Sequence, residues 1–206
     1  MHTKTIKRLV ASFAAVGVAA AVAGLGTFAT FTSSTTASHT ISSGTVSIAL
    51  GATGASTNRL TVGASNVVPG DTIQRSADLV NNGGASADNL SGIVLTTTAS
   101  PSSLLDTEPT NGLQMTIEKC SVPWTEAGTA PAYTYTCSAT TSTVLASRAV
   151  LGSNMALTNL SSLTTGSTDH LRVTLTLPGA APNTMQGLTS TISYNFVGTQ
   201  RVAGNK

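Results

Sequence analysis

Apolar and polar residues alternate along most of this chain, in short runs separated by turn residues. "TVSIAL" at 45–50 sets Val46, Ile48 and Leu50 against Thr45, Ser47 and Ala49, the period of two that marks a strand with one buried face. "NRLTVG" at 58–63 predicts a second short strand with Leu60 and Val62 on one side. The clearest run is "NVVPGDTIQRSADLVNNGG" at 66–84. Pro69 and Gly70 predict a tight turn, because Pro fixes φ and Gly permits positive φ. Ile73, Ala77 and Leu79 then share one face, and Thr72, Gln74, Ser76 and Asp78 the other. Asn81, Asn82 and Gly83 tolerate left-handed backbone and end the strand. "NLSGIVLTTTA" at 89–99 predicts the returning strand.

Two prolines break the pattern in "SPSSLLDTEPTNG" at 100–112, which reads as a surface excursion. "LQMTIEKC" at 113–120 alternates again, with Leu113, Met115 and Ile117 together. A loop carrying Pro123, Trp124 and Pro131 leads to "AYTYTC" at 132–137, predicted to pair back as a hairpin. Residues 138–168 have no clear period and read as loops or a helical turn or two. "DHLRVTLTLP" at 169–178 is the best single strand, with Leu171, Val173, Leu175 and Leu177 on one face and His170, Arg172, Thr174 and Thr176 on the other. "LTSTISYNFVGTQR" at 188–201 closes the chain with Ile192, Tyr194 and Phe196 inward. Short strands at spacings of about ten residues predict an all-β antiparallel sandwich. Trp124 lies between the cysteines rather than on a core strand, so a jelly-roll-like arrangement fits better than an immunoglobulin one.

Composition agrees. The 206 residues include 36 Thr and 25 Ser but only 9% charged residues, which suits sheets and excludes a coiled coil. No Lys/Arg cluster is present to neutralise phosphates, so nucleic acid is not a partner. The net charge of +2 comes from Lys4, Lys7 and Arg8 at the start. They precede an apolar run from Leu9 to Leu25, and a small-residue exit follows. This is the pattern of a cleaved secretory signal, with a membrane span as the alternative. Cleavage is expected after Ala29, or otherwise after Ala37. The chain then divides into a signal peptide (1–29), a flexible arm (30–43) and one β-sandwich domain (44–206). No later apolar run is long enough to span a membrane, so no membrane contact is expected after cleavage. In an exported chain the two cysteines, Cys120 and Cys137, are expected to form a disulfide, the alternative being two free buried thiols.

Candidate chemistry is sparse. HExxH and GxSxG are absent. His39 lies in the arm, and His170 reads as a solvated residue on an outer strand face. Asp106 and Glu108 sit close together on a Pro-flanked loop, yet two carboxylates supply too few oxygens for calcium. Zinc is not expected either, because Cys120 and Cys137 have no His or acidic residue at ligand spacing in the sequence. No catalytic residue, metal ligand or cofactor site is assigned.

Several segments together resemble the TasA/camelysin family of secreted proteins of Gram-positive bacteria. "LGTFATFT" and "SGTVSIAL" are similar to the family's stretch around the cleavage site. Pro69, Gly70 and Asp71, followed by Asn81, Asn82 and Gly83, match its turn, long strand and N-N-G end. "MQGLTSTISYNFVGTQR" is similar to its closing strand. The matches cover the leader, the first third and the last strand, in the family's order. The cysteine pair is not part of that pattern. The resemblance implies a jelly-roll subunit, processing by a dedicated signal peptidase, and self-association into fibres of an extracellular matrix, biofilm or cell surface. The alternative it implies is the cell-surface metalloendopeptidase activity of camelysin-type members. A monomeric adhesion or binding module is a third reading.

The arm has a place in the fibre reading. Residues 30–43 are polar and uncharged, and they directly precede a strand. Phe31, Thr32, Thr35, Thr36, Thr40 and Ile41 are aromatic or β-branched residues that suit an extended strand. Added to an open sheet edge of a neighbouring copy, such a strand grows a filament. The plain alternative is a disordered linker.

Overall fold

A computed structural model describes residues 46–202. The signal peptide, both cleavage sites and the arm residues Phe31, Thr32, Thr35, Thr36, Thr40 and Ile41 lie outside the described residues. Ten strands follow in order: β1 (Ile48–Leu50), β2 (Thr72–Asn81), β3 (Leu90–Ala99), β4 (Gln114–Cys120), β5 (Thr125–Ala127), β6 (Thr134–Thr136), β7 (Thr141–Ala149), β8 (Gly152–Ala156), β9 (Thr168–Thr176) and β10 (Ile192–Gln200). One short helix, α1 (Leu104–Thr107), interrupts the 100–112 excursion.

The pairing is antiparallel and nested. β2 pairs with β9, β3 with β8, β4 with β7 and β5 with β6. An antiparallel ribbon folded over on itself produces this wiring, which is that of a jelly roll. β9 also pairs with β4, giving a five-stranded sheet in the order β1-β2-β9-β4-β7 opposite a three-stranded sheet β10-β3-β8. β1 and β10 are additions on the flanks of the ribbon. The sequence expectation of an all-β antiparallel sandwich holds.

The core is aliphatic, as four Phe and one Trp in the whole chain require. Leu79, Met115, Ile117, Leu171 and Val173 from the large sheet meet Ile93, Leu95 and Met155 from the small one, all buried. Each such side chain contributes about 1.5–3 kcal/mol on burial. Ile192, Tyr194 and Phe196 point inward as expected, packing on this cluster from β10.

Four expectations are corrected. Residues 58–63 do not form a strand. Arg75, 5% exposed on β2, donates to the carbonyls of Val62 (2.6 Å) and Gly63 (2.8 Å). A side chain thereby takes acceptors that a ladder would have used, and only an isolated bridge from Asn58 to Ala77 forms. Next, β3 does not return alongside β2. The chain crosses to the opposite sheet through 82–89, and β3 pairs with β8 and β10. Third, residues 132–137 do not pair with β4, because β6 is held by β5 and both neighbours of β4 are already β7 and β9. Finally, 138–168 contains two strands, β7 and β8. β7 carries two register irregularities against β4 that erase its period, and β8 is only five residues long.

Candidate functional site

The two sheets meet along a seam that is incompletely closed. β1 covers only the last three residues of β2, and among the described residues no strand pairs with the outer edge of β10. A groove of about 210 Å3 opens there, lined by Ile48, Leu50, Leu79, Tyr194 and Phe196. A second apolar pocket of about 250 Å3 is lined by Val67, Val68, Pro69, Leu177, Pro182 and Met185. The two lie toward opposite ends of β2. β1 runs from Ile48, opposite Asn81, to Leu50, opposite Leu79, and so toward the start of β2. The described chain therefore begins at the end where β2 stops, with Val46 and Ile48 against Gly198. The second pocket sits where β2 starts and β9 ends.

The turn motif expected between 69 and 83 occupies both ends of β2. Gly70 has φ +99°, a conformation that other residues resist. Its N–H donates to Leu177 (2.8 Å), and Leu177 N–H returns a bond to the Asp71 carbonyl (3.0 Å). The Asp71 carboxylate accepts from Val68 N–H at 2.9 Å and closes the turn beside the apolar pocket. At the far end Asn81 is fully buried. Its side chain donates to the Asp88 carbonyl (3.2 Å) and accepts from Gly83 N–H (3.0 Å). Gly83 is constrained differently: a Cβ there would meet that of Asp88 at 2.3 Å. Asn82 N–H donates to Ser47 and ties the start of the described chain to the end of β2. The motif thus terminates a strand at both ends and frames the seam.

The outer face of the five-stranded sheet carries the charges, beneath the β5–β6 hairpin. Arg59 pairs with Glu126 on β5 (2.6 and 2.9 Å), and the Tyr135 hydroxyl donates to the same carboxylate (2.8 Å). The Arg59 bonds hold the Glu126 carboxyl below the usual carboxylate range. Arg172 reaches Glu118 and the Tyr135 carbonyl and lies 4.4 Å from the centre of the Trp124 ring. His170 is not solvated as expected: its Nδ1 is 2.8 Å from Asp78, and both side chains are about four-fifths buried. Cys120 and Cys137 are joined, with Cα atoms 5.7 Å apart. The bond joins the last residue of β4 to the residue that follows β6 and so anchors the β5–β6 hairpin to the large sheet. Reducing this bond is expected to lower stability by about 3 kcal/mol or less, read from urea midpoints with and without reductant.

The two loop carboxylates are spent on the fold. Asp106, 2% exposed, accepts from Ser102 and Ser190 (both 2.5 Å) and from Ser103 N–H (2.8 Å). Glu108 accepts from the N–H groups of Thr110, Asn111 and Gly112. Burial pushes the Asp106 carboxyl up, but the serine bonds outweigh it and the net shift is downward. A depressed carboxylate stabilises above its unfolded pKa of about 3.9 and loses that contribution as pH falls through the lower folded value. Replacing Asp106 with Asn is therefore expected to destabilise at pH 7 and to cost progressively less below about pH 4, measured by urea unfolding across pH.

Sequence reasoning missed Arg75, the Arg59–Glu126–Tyr135 set and the Lys119–Asp169 pair, because the partners lie 9 to 67 positions apart in the chain and no local pattern joins them. Among the described residues no three of His, Cys, Asp and Glu converge to hold a metal ion, and no helix is long and apolar enough to cross a membrane. No curated protein matches the chain. A family model described as camelysin metallo-endopeptidase matches residues 4–205. A catalytic zinc takes three protein ligands. With its cysteines bonded and His170 engaged by Asp78, the described part of the chain does not supply such a set, so no peptidase step is derived. The match nonetheless takes in all ten strands and both halves of the Pro69–Gly83 motif, and the chain belongs to the camelysin family of cell-surface and secreted proteins.

Proposed function

We propose that this protein is an exported structural subunit that polymerises head to tail into extracellular fibres. A dedicated signal peptidase would remove residues 1–29 and free the arm. The observation that carries the reading is the unpaired edge of β10 above an apolar groove, because such an edge is a template for another chain. The arm of the next copy, residues 30–43, is the occupant. Extended, it reaches about 45 Å, more than the roughly 30 Å of the nine-residue β10. A contact of this kind does not close on itself and grows a filament.

Electron microscopy of the secreted protein, together with its N-terminal sequence, tests the reading. Fibres built from chains beginning near residue 30 support it, and monomers under all conditions of concentration and pH overturn it. The family's description favours a peptidase as the second reading. Casein left uncut by the purified protein would remove it.

A further inference from the structure

Asparagine followed by glycine is the pair most prone to spontaneous deamidation, because no side chain shields the glycine nitrogen from the preceding side-chain amide. The chain has two such pairs, Asn82-Gly83 and Asn111-Gly112. Asn82 is exposed at the end of β2, and Asn111 is half-buried in the turn before β4. In the reaction the glycine nitrogen gives up its proton to solvent base and bonds to the side-chain carbonyl carbon. The bond from that carbon to the amide nitrogen breaks, and ammonia leaves. Water then opens the ring at either carbonyl, to aspartate or to isoaspartate, which carries one extra carbon in the main chain. At both pairs the attacking nitrogen is tied down. Gly112 N–H donates to Glu108 Oε2 (2.9 Å), and the same oxygen accepts from Thr110 N–H (3.2 Å) and Asn111 N–H. Gly83 N–H donates to Asn81 Oδ1 (3.0 Å), and the buried Asn81 side chain is itself anchored on the Asp88 carbonyl (3.2 Å).

We propose that Asn82 and Asn111 are latent deamidation sites, held shut in the folded chain by the acceptors Asn81 and Glu108. The glycine proton leaves only when its hydrogen bond breaks. At Gly112 the nitrogen anion so formed would also face a carboxylate, and like charges disfavour the ionised form. Neither glycine has room to swing toward the ring. A Cβ on Gly112 would stand 2.3 Å from the Glu108 carbonyl oxygen and 2.9 Å from that of Leu105, and one on Gly83 would stand 2.3 Å from the Asp88 Cβ. The bonds that follow are fixed as well. Gln114 Nε2 donates to the Gly112 carbonyl (3.1 Å), Leu113 N–H donates to the Leu105 carbonyl (2.7 Å), and the Thr165 hydroxyl donates to the Gly83 carbonyl. The extra main-chain carbon of isoaspartate therefore has no space at either place. The packing that demands glycine at 83 and 112 creates the hazard, and the acceptor beside each glycine suppresses it. This inference is independent of the fibre reading.

The test is incubation at mildly alkaline pH, with aspartate and isoaspartate at 82 and 111 followed by peptide mapping and mass spectrometry. Folded protein should deamidate more slowly at both positions than the same protein unfolded in urea. Glu108→Ala is expected to raise the rate at 111 about 10–100-fold, the worth of a hydrogen bond to a charged group. The rate at 82 should stay at its folded value in that variant, which shows that the domain has not simply unfolded. Glu108→Gln keeps an uncharged acceptor at the same reach and should give a rate at 111 between the other two, so it serves where Glu108→Ala does not fold. The proposal is overturned if folded wild-type protein deamidates at either position as fast as unfolded protein. It is equally overturned if a folded Glu108→Ala or Glu108→Gln variant keeps the wild-type rate at 111.

Discussion

Deleting residues 30–40 is expected to leave a folded monomer and no fibres. The domain should survive because its core is built from the described strands: Leu79, Ile93, Leu95, Ile117 and Leu171 are at most 1% exposed. Assembly should fail because the β10 edge then lacks its added strand, and backbone hydrogen bonds supply most of the affinity in strand addition. The loss should be complete rather than graded. In the proposed assembly each subunit contributes one arm and one edge, so removing the arm would remove every contact of this type. Electron microscopy and sedimentation of the truncated protein check the outcome, and fibres of normal length would sink the idea. A synthetic peptide covering residues 30–43 gives the complementary measurement. It should bind the truncated protein one to one and shorten fibres of the intact protein when added during growth.

What the sequence revealed of this fold follows the physics of each strand. β9 was legible because both its neighbours are strands and one of its faces is fully inside, so Leu171 and Val173 alternate strictly with His170 and Arg172. β2 was legible for the same reason, and its two ends were legible because Gly70 and the Asn81–Gly83 segment need special backbone. β7 was opaque. It is an edge strand with bulges, where Val144 and Leu145 are both buried side by side, and irregular edges discourage unwanted pairing at the expense of period. Strand partners were the least legible feature. The turn residues at 81–84 stop β2 but do not tell the chain to cross to the other sheet, and the cysteine spacing does not tell β6 to pair with β5. The candidate sites divide the same way. The turn motif could be read locally, whereas His170 looked solvated because its partner Asp78 lies 92 positions away. Asp169, at the head of the same strand, meets Lys119, Ser161 and Ser162, which no local pattern connects to it.

Asp169→Asn should be among the most destabilising single changes outside the apolar core, costing about 3–5 kcal/mol at pH 7. Asp169 is 1% exposed. One carboxylate oxygen accepts from Lys119 (2.9 Å) and from Ser161 N–H (2.9 Å), and the other accepts from Ser162 N–H (2.7 Å). Asn has one acceptor and one NH2 group. Whichever way it turns, a donor faces a buried backbone donor, and Lys119 loses its counter-charge. Lys119 also bonds Ser161 Oγ at 2.9 Å and keeps some exposure, which places the cost toward the lower end. The pH dependence separates this account from a simple packing defect. Burial pushes the Asp169 carboxyl up, but the N–H groups of Ser162 and Ser161 and the Lys119 ammonium outweigh it and hold the carboxyl below its usual value. Its contribution is therefore full above the unfolded pKa of about 3.9 and is lost as pH falls through the lower folded pKa. Asn does not titrate, so the variant lacks this component of the acid sensitivity. Urea unfolding of both proteins from pH 7 down to about pH 2 should show the gap narrowing below about pH 4. A gap that stays constant over that range would mean that the charge of Asp169 contributes nothing and that shape alone accounts for the loss.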